Sequence, residues 1–384
     1  MVKRLTAKKF NPRTSDVGDC GVNAAEGVDA INRSNYFSLR RCLMKRITIK
    51  DVAEKAGVST AAVSYVLNGR EGKVSEDTLA KIKQAISELN YIPDYSARSL
   101  ASNRSNLIGV VIPQTEDQKQ LLLENPFYSD LICGIESELR QHDYHIILSG
   151  VEKNKGYLDL TMQRNLDGAV IMGIFQESFY EDLKKVKMPI VLIDSYINDD
   201  NFKKIRIDDE LGGYLATKHL IDNGHTNIAL VTGTIRKDGV VEKRYLGYKR
   251  ALQEANLFYN HDFVFEGSVS YEYGVEAGRQ IAEQRQGITA VFATGDMMAF
   301  GAVNGLRDRG LTVPDDVSVI GFDDISLANI FIPKLTTVKQ DVKARGVAAA
   351  RYLMQVLEGK KELDHTVTLL PIEIVERETV KKIN

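Results

Sequence analysis

The chain has 384 residues, of which 43% are hydrophobic and 27% charged, a length sufficient for two or three compact units with sizeable cores. Its 50 Lys and Arg against 52 Asp and Glu give a net charge of −2, which excludes a uniformly basic nucleic-acid binder. Cys20, Cys42 and Cys133 are too few and too scattered for a disulfide framework or a four-ligand zinc site, and the opening residues lack the apolar stretch of an export signal. We therefore expect a cytoplasmic protein without a metal, a cofactor or a membrane segment.

The charge is distributed unevenly along the chain. Residues 1–43 carry a net charge of +4 and residues 44–106 carry +3, so the rest of the chain carries −9. Such an asymmetry is expected when a small module contacts a polyanion and the remainder has another role. Residues 1–43 show neither helical nor strand periodicity, which predicts a disordered extension. A basic arm that binds phosphates is the alternative.

Residues 44–92 have the pattern of three short helices. Thr48, Ser59 and Ser75 each stand where a hydroxyl can cap the start of a helix, and Gly57 can supply the positive φ of a tight turn. Small residues and valines fall where two crossing helices bury a shared face, a pattern that favours a helix-turn-helix over a plain helical hairpin. We therefore predict a DNA-binding domain here.

The second helix of this motif is expected to enter the major groove. Thr60, Ala61 and Tyr65 lie off its apolar face and can contact base edges, although none is a bidentate reader of guanine. Other polar residues are better placed to contact phosphates, which fixes register without reading sequence, and a solvated surface role is the alternative for each. These are Lys50, Ser59, Ser64, Asn68, Lys73 and Lys81, and Thr48 completes the candidate DNA-binding set.

From Leu107 onward, short apolar runs alternate with amphipathic stretches. The runs are too uniformly apolar for one-sided strands and suit parallel strands covered on both faces. They are residues 107–113, 145–150, 168–173, 189–195, 227–233, 290–295 and 317–323. Because about ten such strands exceed one comfortable sheet, we predict two α/β lobes, each a doubly wound parallel sheet. A ligand between the lobes would meet the strand ends at Asp194, Asp296 and Asp323.

Several segments resemble a known family. ITIKDVAEKAGVS, VSYVLNG and LNYIPDYSARSLAS are similar to the amino terminus of the lactose- and galactose-repressor family of bacterial transcription regulators. Motifs such as NPFYSDLICGIE, EKRYLGYKRAL and GLTVPDDVSVIGFDD extend the resemblance over essentially all of Met44–Lys382. The resemblance implies a small all-α helix-turn-helix domain followed by a two-lobed, periplasmic-binding-protein-like core.

The resemblance also implies domain boundaries. The helix-turn-helix domain would span 44–92, the hinge 93–106, and the effector-binding and dimerisation core 107–384. Within the core, lobe 1 would comprise about 107–205 and 342–370, and lobe 2 about 206–341 and 371–384.

In that family the hinge folds to a short helix in the minor groove when two subunits sit on an operator. Ala97 and Leu100 would then contact DNA, with Leu100 as an apolar wedge that opens a base step. A merely polar linker is the alternative for this segment. Tyr65 stands where many members carry Arg, so the preferred operator is expected to differ at one base at least.

Carried over residue by residue, the family's cleft residues would form the effector site of this chain. They are Phe127, Tyr128, Asp194, Arg244, Asp296, Asp323 and Gln340. Carboxylates accept pairs of hydrogen bonds from adjacent hydroxyls, a guanidinium donates as a planar fork, and an aromatic face covers the apolar face of a sugar ring. This chemistry favours a sugar or a sugar phosphate.

Structural roles are the alternatives for the same residues. Asp194 and Asp323 can be strand-end caps, and Phe127 can belong to the core. Arg244 can pair with Glu242 or with Asp296. The residues at two further positions, Val269 and Gly295, differ from those that relatives often place beside the ligand, which leaves the identity of the effector open.

These expectations combine into one predicted function: a dimeric, allosteric repressor of a carbohydrate-utilisation operon, associated with the nucleoid. Its partners would be pseudo-palindromic operator DNA and a small effector, or a phosphorylated protein corepressor; whether the effector induces or corepresses stays open. An enzyme is disfavoured because no glycine loop for phosphates follows a strand. A secreted sugar-binding protein would lack the helical module, and an architectural DNA-binding protein would need no cleft. The absence of an added heptad tail favours dimers over tetramers.

Overall fold

The structure, a computed structural model, describes eight parts of the chain. These are residues 47–92, 104–113, 123, 125–151, 165–173, 178–198, 200–284 and 287–383. Its contacts separate two compact units, one up to residue 94 and one from residue 95. The predicted extension at 1–43 and the hinge residues Ala97 and Leu100 lie outside the described residues. Within the described ranges, no helix has the length and apolar character needed to cross a membrane.

Over residues 47–92, the amino-terminal unit has three α-helices. They are α1 (Ile49–Ala56), α2 (Thr60–Leu67) and α3 (Glu76–Glu88). The three predicted caps are confirmed: the side chains of Thr48, Ser59 and Ser75 each accept a hydrogen bond from a backbone N–H of the first turn that follows. Gly57 ends α1 with a φ of 66°, the left-handed conformation that the tight turn requires. The caps and the turn together place α2 across α1.

A small apolar core holds these helices together. It consists of Val52, Ala53, Val63, Val66, Ile82 and Ala85, all buried. Each of the three helices contributes two of these residues, which is the shared face that the sequence pattern predicts. The opposite side of α2 therefore stays exposed.

The second unit contains twelve strands among its described residues, in two six-stranded sheets. In chain order they are β1 (Leu107–Pro113), β2 (His145–Val151), β3 (Gly168–Met172), β4 (Ile190–Ile193), β5 (Lys203–Arg206), β6 (Ile228–Gly233), β7 (Val264–Gly267), β8 (Ala290–Ala293), β9 (Ser318–Asp323), β10 (Thr336–Gln340), β11 (Val367–Leu369) and β12 (Ile372–Val375). Strands β3, β4, β6 and β9 are buried along their whole length, as the continuous apolar runs predict.

In the part of this unit that the structure describes, seven α-helices cover the faces of these sheets. They are α4 (Pro126–Leu139), α5 (Ser178–Leu183), α6 (Asp209–Asp222), α7 (Val240–Glu254), α8 (Tyr271–Gln284), α9 (Asp296–Arg307) and α10 (Val342–Leu357). Helices α4 and α10 approach so closely that a Cβ on Gly346 would lie 2.3 Å from the carbonyl oxygen of Leu131. Because only glycine fits there, this contact fixes the position of α10 relative to α4.

The two sheets have the same strand order. The first runs β11-β5-β4-β3-β1-β2 and the second β12-β10-β9-β8-β6-β7. All pairs are parallel except that β12 is antiparallel to β10. We call the first sheet with α4, α5 and α10 lobe 1, and the second with α6 to α9 lobe 2. The predicted class, a helical module followed by two α/β sheets, is confirmed, and β4 of lobe 1 corresponds to β9 of lobe 2.

Candidate functional site

The exposed face of α2 carries the predicted base-reading residues. Thr60, Ala61 and Tyr65 are exposed, whereas Val63 and Val66 on the other face are buried. Helix α2 has no acidic residue in its first turn, so the partial positive charge of its amino terminus is not offset locally. This face is therefore compatible with a polyanion.

Most of the predicted phosphate-contact residues already have intramolecular roles. Thr48 forms a capping box with Asp51, and Ser59 caps α2. The Asn68 amide donates to the backbone carbonyl and to the hydroxyl of Ser64, at 2.8 and 3.2 Å. The Ser59 hydroxyl accepts from the Ala62 N–H and can still donate to a phosphate, whereas the Thr48 hydroxyl already donates to Oδ2 of Asp51 at 2.7 Å. Lys50 is exposed at the start of α1.

Two acidic residues occupy equivalent strand ends in the two lobes. Asp194 directly follows β4, and Asp323 is the last residue of β9. Their φ angles are 56° and 121°, a region that residues other than glycine rarely adopt. Backbone strain of this kind costs about 1–3 kcal/mol per residue and clusters at functional sites. Both carboxylates lie at the carboxyl ends of parallel strands, the edge at which open α/β sheets generally bind ligands.

In lobe 1, Asp194 pairs with Arg345 of α10. Nη1 of Arg345 donates to Oδ1 of Asp194, and Arg345 is fully buried. The Arg345 guanidinium lies 5.3 Å from the ring centre of Phe127, which makes an edge-to-face contact with Tyr128 at 5.4 Å. Burial raises the pKa of the Asp194 carboxyl, and the charge of Arg345 opposes this shift.

In lobe 2, Arg244 is the centre of a buried network. Its Nε donates to Oδ1 of Asp209 at 2.8 Å and its Nη1 to the carbonyl oxygen of Thr294 at 2.7 Å. The guanidinium stacks on Phe322 at 3.7 Å, and its Nη1 lies 3.8 Å from Oδ1 of Asp323. The predicted alternatives for its partner, Glu242 and Asp296, are therefore wrong, because Asp209 at the start of α6 takes that place.

Asp323 has a second partner in lobe 2. The Gln340 side-chain amide, at the end of β10, donates to Oδ1 of Asp323. Burial raises the pKa of the Asp323 carboxyl to about 6, against the opposing effects of Arg244 and Gln340. A carboxylate held in this way is a strong acceptor for ligand hydroxyls once it is ionised.

Asp296 lies deeper than the other predicted cleft residues. It is fully buried, its Oδ1 accepts from the Thr337 hydroxyl at 2.6 Å, and its Oδ2 accepts from the Ile325 N–H at 2.9 Å. Burial and the nearby Asp323 raise the pKa of its carboxyl well above the ordinary value. Because both oxygens accept hydrogen bonds inside lobe 2, Asp296 connects α9 to β10. Asp296 is therefore not among the proposed effector contacts.

Charges from the two lobes act on each other. Arg345 of lobe 1 lowers the pKa of the Asp323 carboxyl in lobe 2, and Arg244 of lobe 2 lowers that of Asp194 in lobe 1. Phe127 packs against the hydrophobic clusters of both lobes. The structure thus brings most of the predicted cleft residues together at the facing edges of the two sheets.

Sequence reasoning missed two residues of this cleft, Arg345 and Asp209. The signal for Arg345 is its position on the apolar stripe of α10, three residues after Val342 and four before Ala349, both buried. A charged residue on a buried stripe needs a partner. For Asp209, no such signal exists, because an acid in the first turn of a helix is common.

The comparisons with known proteins cover both units. Residues 48–94 match the family model described as bacterial regulatory proteins, lacI family, and residues 217–380 match the periplasmic binding protein-like domain. The HTH-type transcriptional repressor PurR of Vibrio campbellii is 39% identical over 346 residues, which cover 88% of this chain and 99% of the relative.

Two solved structures extend the similarity. The lac repressor dimer bound to operator and the anti-inducer ONPF is 30% identical, with a TM-score of 0.75 and coverage of 88% of this chain and 100% of that one. A LacI family transcriptional regulator from Enterococcus faecium, with bound ribose, is 30% identical with a TM-score of 0.63. The matched region covers 72% of this chain and 100% of that one.

Proposed function

The chain belongs to the lacI family of bacterial regulatory proteins and is a DNA-binding transcriptional regulator rather than an enzyme, and on that basis we propose that it is a dimeric repressor controlled by a sugar-like effector. Two copies would place two α2 helices on a pseudo-palindrome, with half-sites about one helical turn apart. Such a protein acts where the chromosome is, in the bacterial cytoplasm.

The observation that supports this function most directly is the combination of two sites in one chain. One is an exposed helical face with Thr60, Ala61 and Tyr65. The other is a cleft where Asp194 of lobe 1 and Asp323 of lobe 2 each lie near an arginine of the opposite lobe. The first suits base reading in the major groove, and the second suits a small polyhydroxylated ligand. Neither a secreted binding protein nor an architectural DNA-binding protein needs both.

The hinge would couple the two sites. Residues 93–106 join the helical module to the core, and Ala97 and Leu100 would enter the minor groove when two subunits approach. Effector binding between the lobes would shift their relative position and so displace the hinge pair. Moving the population from 1:99 to 99:1 requires about 5.5 kcal/mol of differential affinity for the two states.

Ligand recognition would come from both lobes. Asp194 and Asp323 would accept hydrogen bonds from hydroxyls, Arg244 and Gln340 would hold Asp323 in place, and Phe127 would cover the apolar face of the ring. The ribose bound to the Enterococcus faecium regulator supports a sugar-like effector for this chain.

The test of the DNA-binding half starts with selection of bound fragments from genomic DNA. Tyr65→Ala is then expected to change the preferred sequence, because Tyr65 reads a base edge. Lys50→Ala should weaken binding to all sequences alike and flatten the salt dependence. Phe258→Ala, which removes an exposed aromatic ring of lobe 2, is the matched control and should change neither. Equal losses on every sequence for both variants would contradict the proposed reading helix.

The test of the effector half uses Asp323→Asn, which keeps the shape of the side chain. We expect operator affinity close to that of the wild type and loss of the response to the inducing or corepressing sugar, measured by fluorescence anisotropy on the selected operator. Retention of a full response in this variant would contradict the proposed cleft.

A further inference from the structure

The guanidinium of Arg345 has an unpartnered face. Its Nη1 donates to Asp194, whereas its Nε and Nη2 are buried and have no hydrogen-bond partner among the described residues. Nε–H and the adjacent Nη2–H point the same way and form the fork that binds two oxygens of one carboxylate or phosphate. Each buried donor without a hydrogen-bond partner lowers the stability of the fold by about 1–3 kcal/mol.

Other arginines of this chain show what that fork ordinarily holds. On the same helix, Nε and Nη2 of Arg351 both donate to the carboxylate of Glu138, at 2.9 Å each. Arg279 and Arg309 use the same two nitrogens on Asp308 and Glu283. Those three arginines are partly exposed, whereas Arg345 is fully buried. Nε of Arg206 and of Arg250 is also buried without a hydrogen-bond partner, but among the described residues only Arg345 has both nitrogens of the fork buried and without such a partner.

The position of Arg345 indicates where its missing partner comes from. Its Nη1 donates to Asp194 at the strand end of lobe 1, and its charge lowers the pKa of the Asp323 carboxyl at the equivalent strand end of lobe 2, so the guanidinium lies near both strand ends. Its Cζ lies 5.3 Å from the ring centre of Phe127, a residue that packs against the hydrophobic clusters of both lobes. In lobe 2, Oε1 of Gln340 is also buried and has no hydrogen-bond partner among the described residues, while the amide nitrogen of the same side chain donates to Asp323. The cleft therefore offers two parallel donors of Arg345 to a planar double acceptor, and the acceptor Oε1 of Gln340 to a hydrogen-bond donor.

We propose that the effector carries an anionic group, a carboxylate or a phosphate, that binds the Nε/Nη2 fork of Arg345. The rest of the ligand would supply a hydroxyl to Gln340 Oε1, which makes a sugar acid or a sugar phosphate the class that fits. This inference rests on the proposed function, since it names the chemistry of the ligand in the same cleft. A neutral sugar would offer the fork only uncharged acceptors, whereas a carboxylate or phosphate accepts two charge-assisted hydrogen bonds, each about twice as strong.

The charges of the cleft are compatible with such a ligand. Arg244 is neutralised by Asp209, and Arg345 is shared between Asp194 and the proposed anion. A carboxylate already bound to Arg345 competes with an incoming one. Removing the charge of Asp194 should therefore widen the preference for a charged ligand over its neutral parent, an outcome that a merely structural role of Arg345 does not produce.

The experiment measures calorimetric affinities of the full-length protein for matched probe pairs. The pairs are ribose 5-phosphate with ribose, glucose 6-phosphate with glucose, and glucuronate with glucose; inorganic phosphate is added as the smallest probe. We expect at least one charged probe to bind about tenfold or more tightly than its neutral parent. The phosphate and carboxylate arms distinguish the two sources of the anion.

Four variants locate the effect. Arg345→Met should abolish the preference for the charged probe, and Arg345→Lys, which keeps the charge but loses the fork, should lose most of it. Arg351→Met removes an arginine six positions further along α10 and should leave the preference unchanged. Asp194→Asn weakens a hydroxyl acceptor that both probes share and removes a negative charge that repels only the anion, so it should widen the ratio of charged-probe to neutral-probe affinity by about tenfold. If Arg345→Met folds poorly because it leaves Asp194 unpaired, the double variant Asp194→Asn with Arg345→Met replaces it.

The contrary outcomes are equally specific. The inference is overturned if no charged probe binds better than its parent, or if Arg345→Met binds the charged probe as tightly as the wild type. A neutral sugar that binds and alters operator affinity would overturn this inference and leave the proposed function standing. If the selection yields no bound DNA fragment, the proposed function itself is contradicted.

Discussion

The two lobes hold an aspartate at the same strand end through different contacts. Each places an aspartate in a strained conformation at the same strand end of the same sheet order, Asp194 after β4 and Asp323 at the end of β9. Lobe 1 holds its aspartate with a single guanidinium, that of Arg345, whereas lobe 2 surrounds Asp323 with Arg244 and Gln340. The strand order thus fixes where the acid lies, and the neighbouring helices decide what it faces.

The difference extends to how completely each side is satisfied. In lobe 2, Arg244 uses Nε and Nη1 on partners within the lobe, and Asp296 uses both of its oxygens. In lobe 1, Nε and Nη2 of Arg345 have no hydrogen-bond partner among the described residues. Lobe 2 is therefore the preorganised side of the cleft, and lobe 1 is the side whose hydrogen bonds a ligand would complete. Four substitutions or conditions test this contrast.

The largest effect is expected from Asp209→Ala in lobe 2. Arg244 would remain buried and charged without its main partner, and breaking a buried pair in this way costs about 3–5 kcal/mol in the free energy of unfolding. Urea titration of the core measures it. Asp222→Ala, which removes an exposed ion pair with Lys218 on the same helix, is the control and should stay close to the wild type. Equal stability of the two variants would show that Arg244 does not depend on Asp209.

The second-largest expected effect is a dependence of the free energy of unfolding on pH. Because the pKa of Asp323 is raised from 3.8 to about 6 in the folded chain, the folded state binds more protons than the unfolded state between these values. Its contribution to the free energy of unfolding therefore falls as pH rises from about 4 through 6, by about 3 kcal/mol in total. Unfolding of the wild type and of Asp323→Asn from pH 4 to 8 checks this. Parallel stability curves for the two proteins would contradict it.

Thr337→Val tests a contact that lobe 2 builds around Asp296. The substitution keeps the shape of the side chain but removes the 2.6 Å hydrogen bond to the buried carboxylate, which should cost about 1–3 kcal/mol. Thermal unfolding measures it, with Thr368→Val in the edge strand β11 as the control. A Thr337 variant as stable as the control would mean that Asp296 finds another donor.

Gly295→Ala should have the smallest effect. A Cβ at this position would meet its nearest atoms, on Asp323, Met298 and Val269, at 3.7–3.8 Å, which is ordinary contact, so the stability change should stay below about 0.5 kcal/mol. Gly321→Ala is the contrasting variant, because its Cβ would lie 2.3 Å from Oδ1 of Asp296 and should destabilise lobe 2. Similar melting temperatures for the two variants would indicate that the edge of lobe 2 is more adaptable than its contacts suggest.

The strands that the sequence pattern missed share a physical cause. Seven apolar runs predict β1, β2, β3, β4, β6, β8 and β9, whereas β5 and β7 and the strands after β9 are short, charged or half-exposed. Strand β5 reads KKIR, yet Lys203 and Lys204 are buried. Lys203 is buried because its ammonium reaches Asp364 at 2.9 Å, a residue 161 positions away. No local pattern contains that contact.

The amino-acid sequence alone determined the caps of the three helices, the turn at Gly57, the apolar strands and the two acids at the strand ends, because each follows from neighbours within a few residues. The tertiary structure alone decided that Arg244 pairs with Asp209, that Asp296 is used inside lobe 2, and that Arg345 meets Asp194 from 151 positions away. Burial and charge partners depend on how helices dock on sheets, and docking is set by contacts between distant parts of the chain.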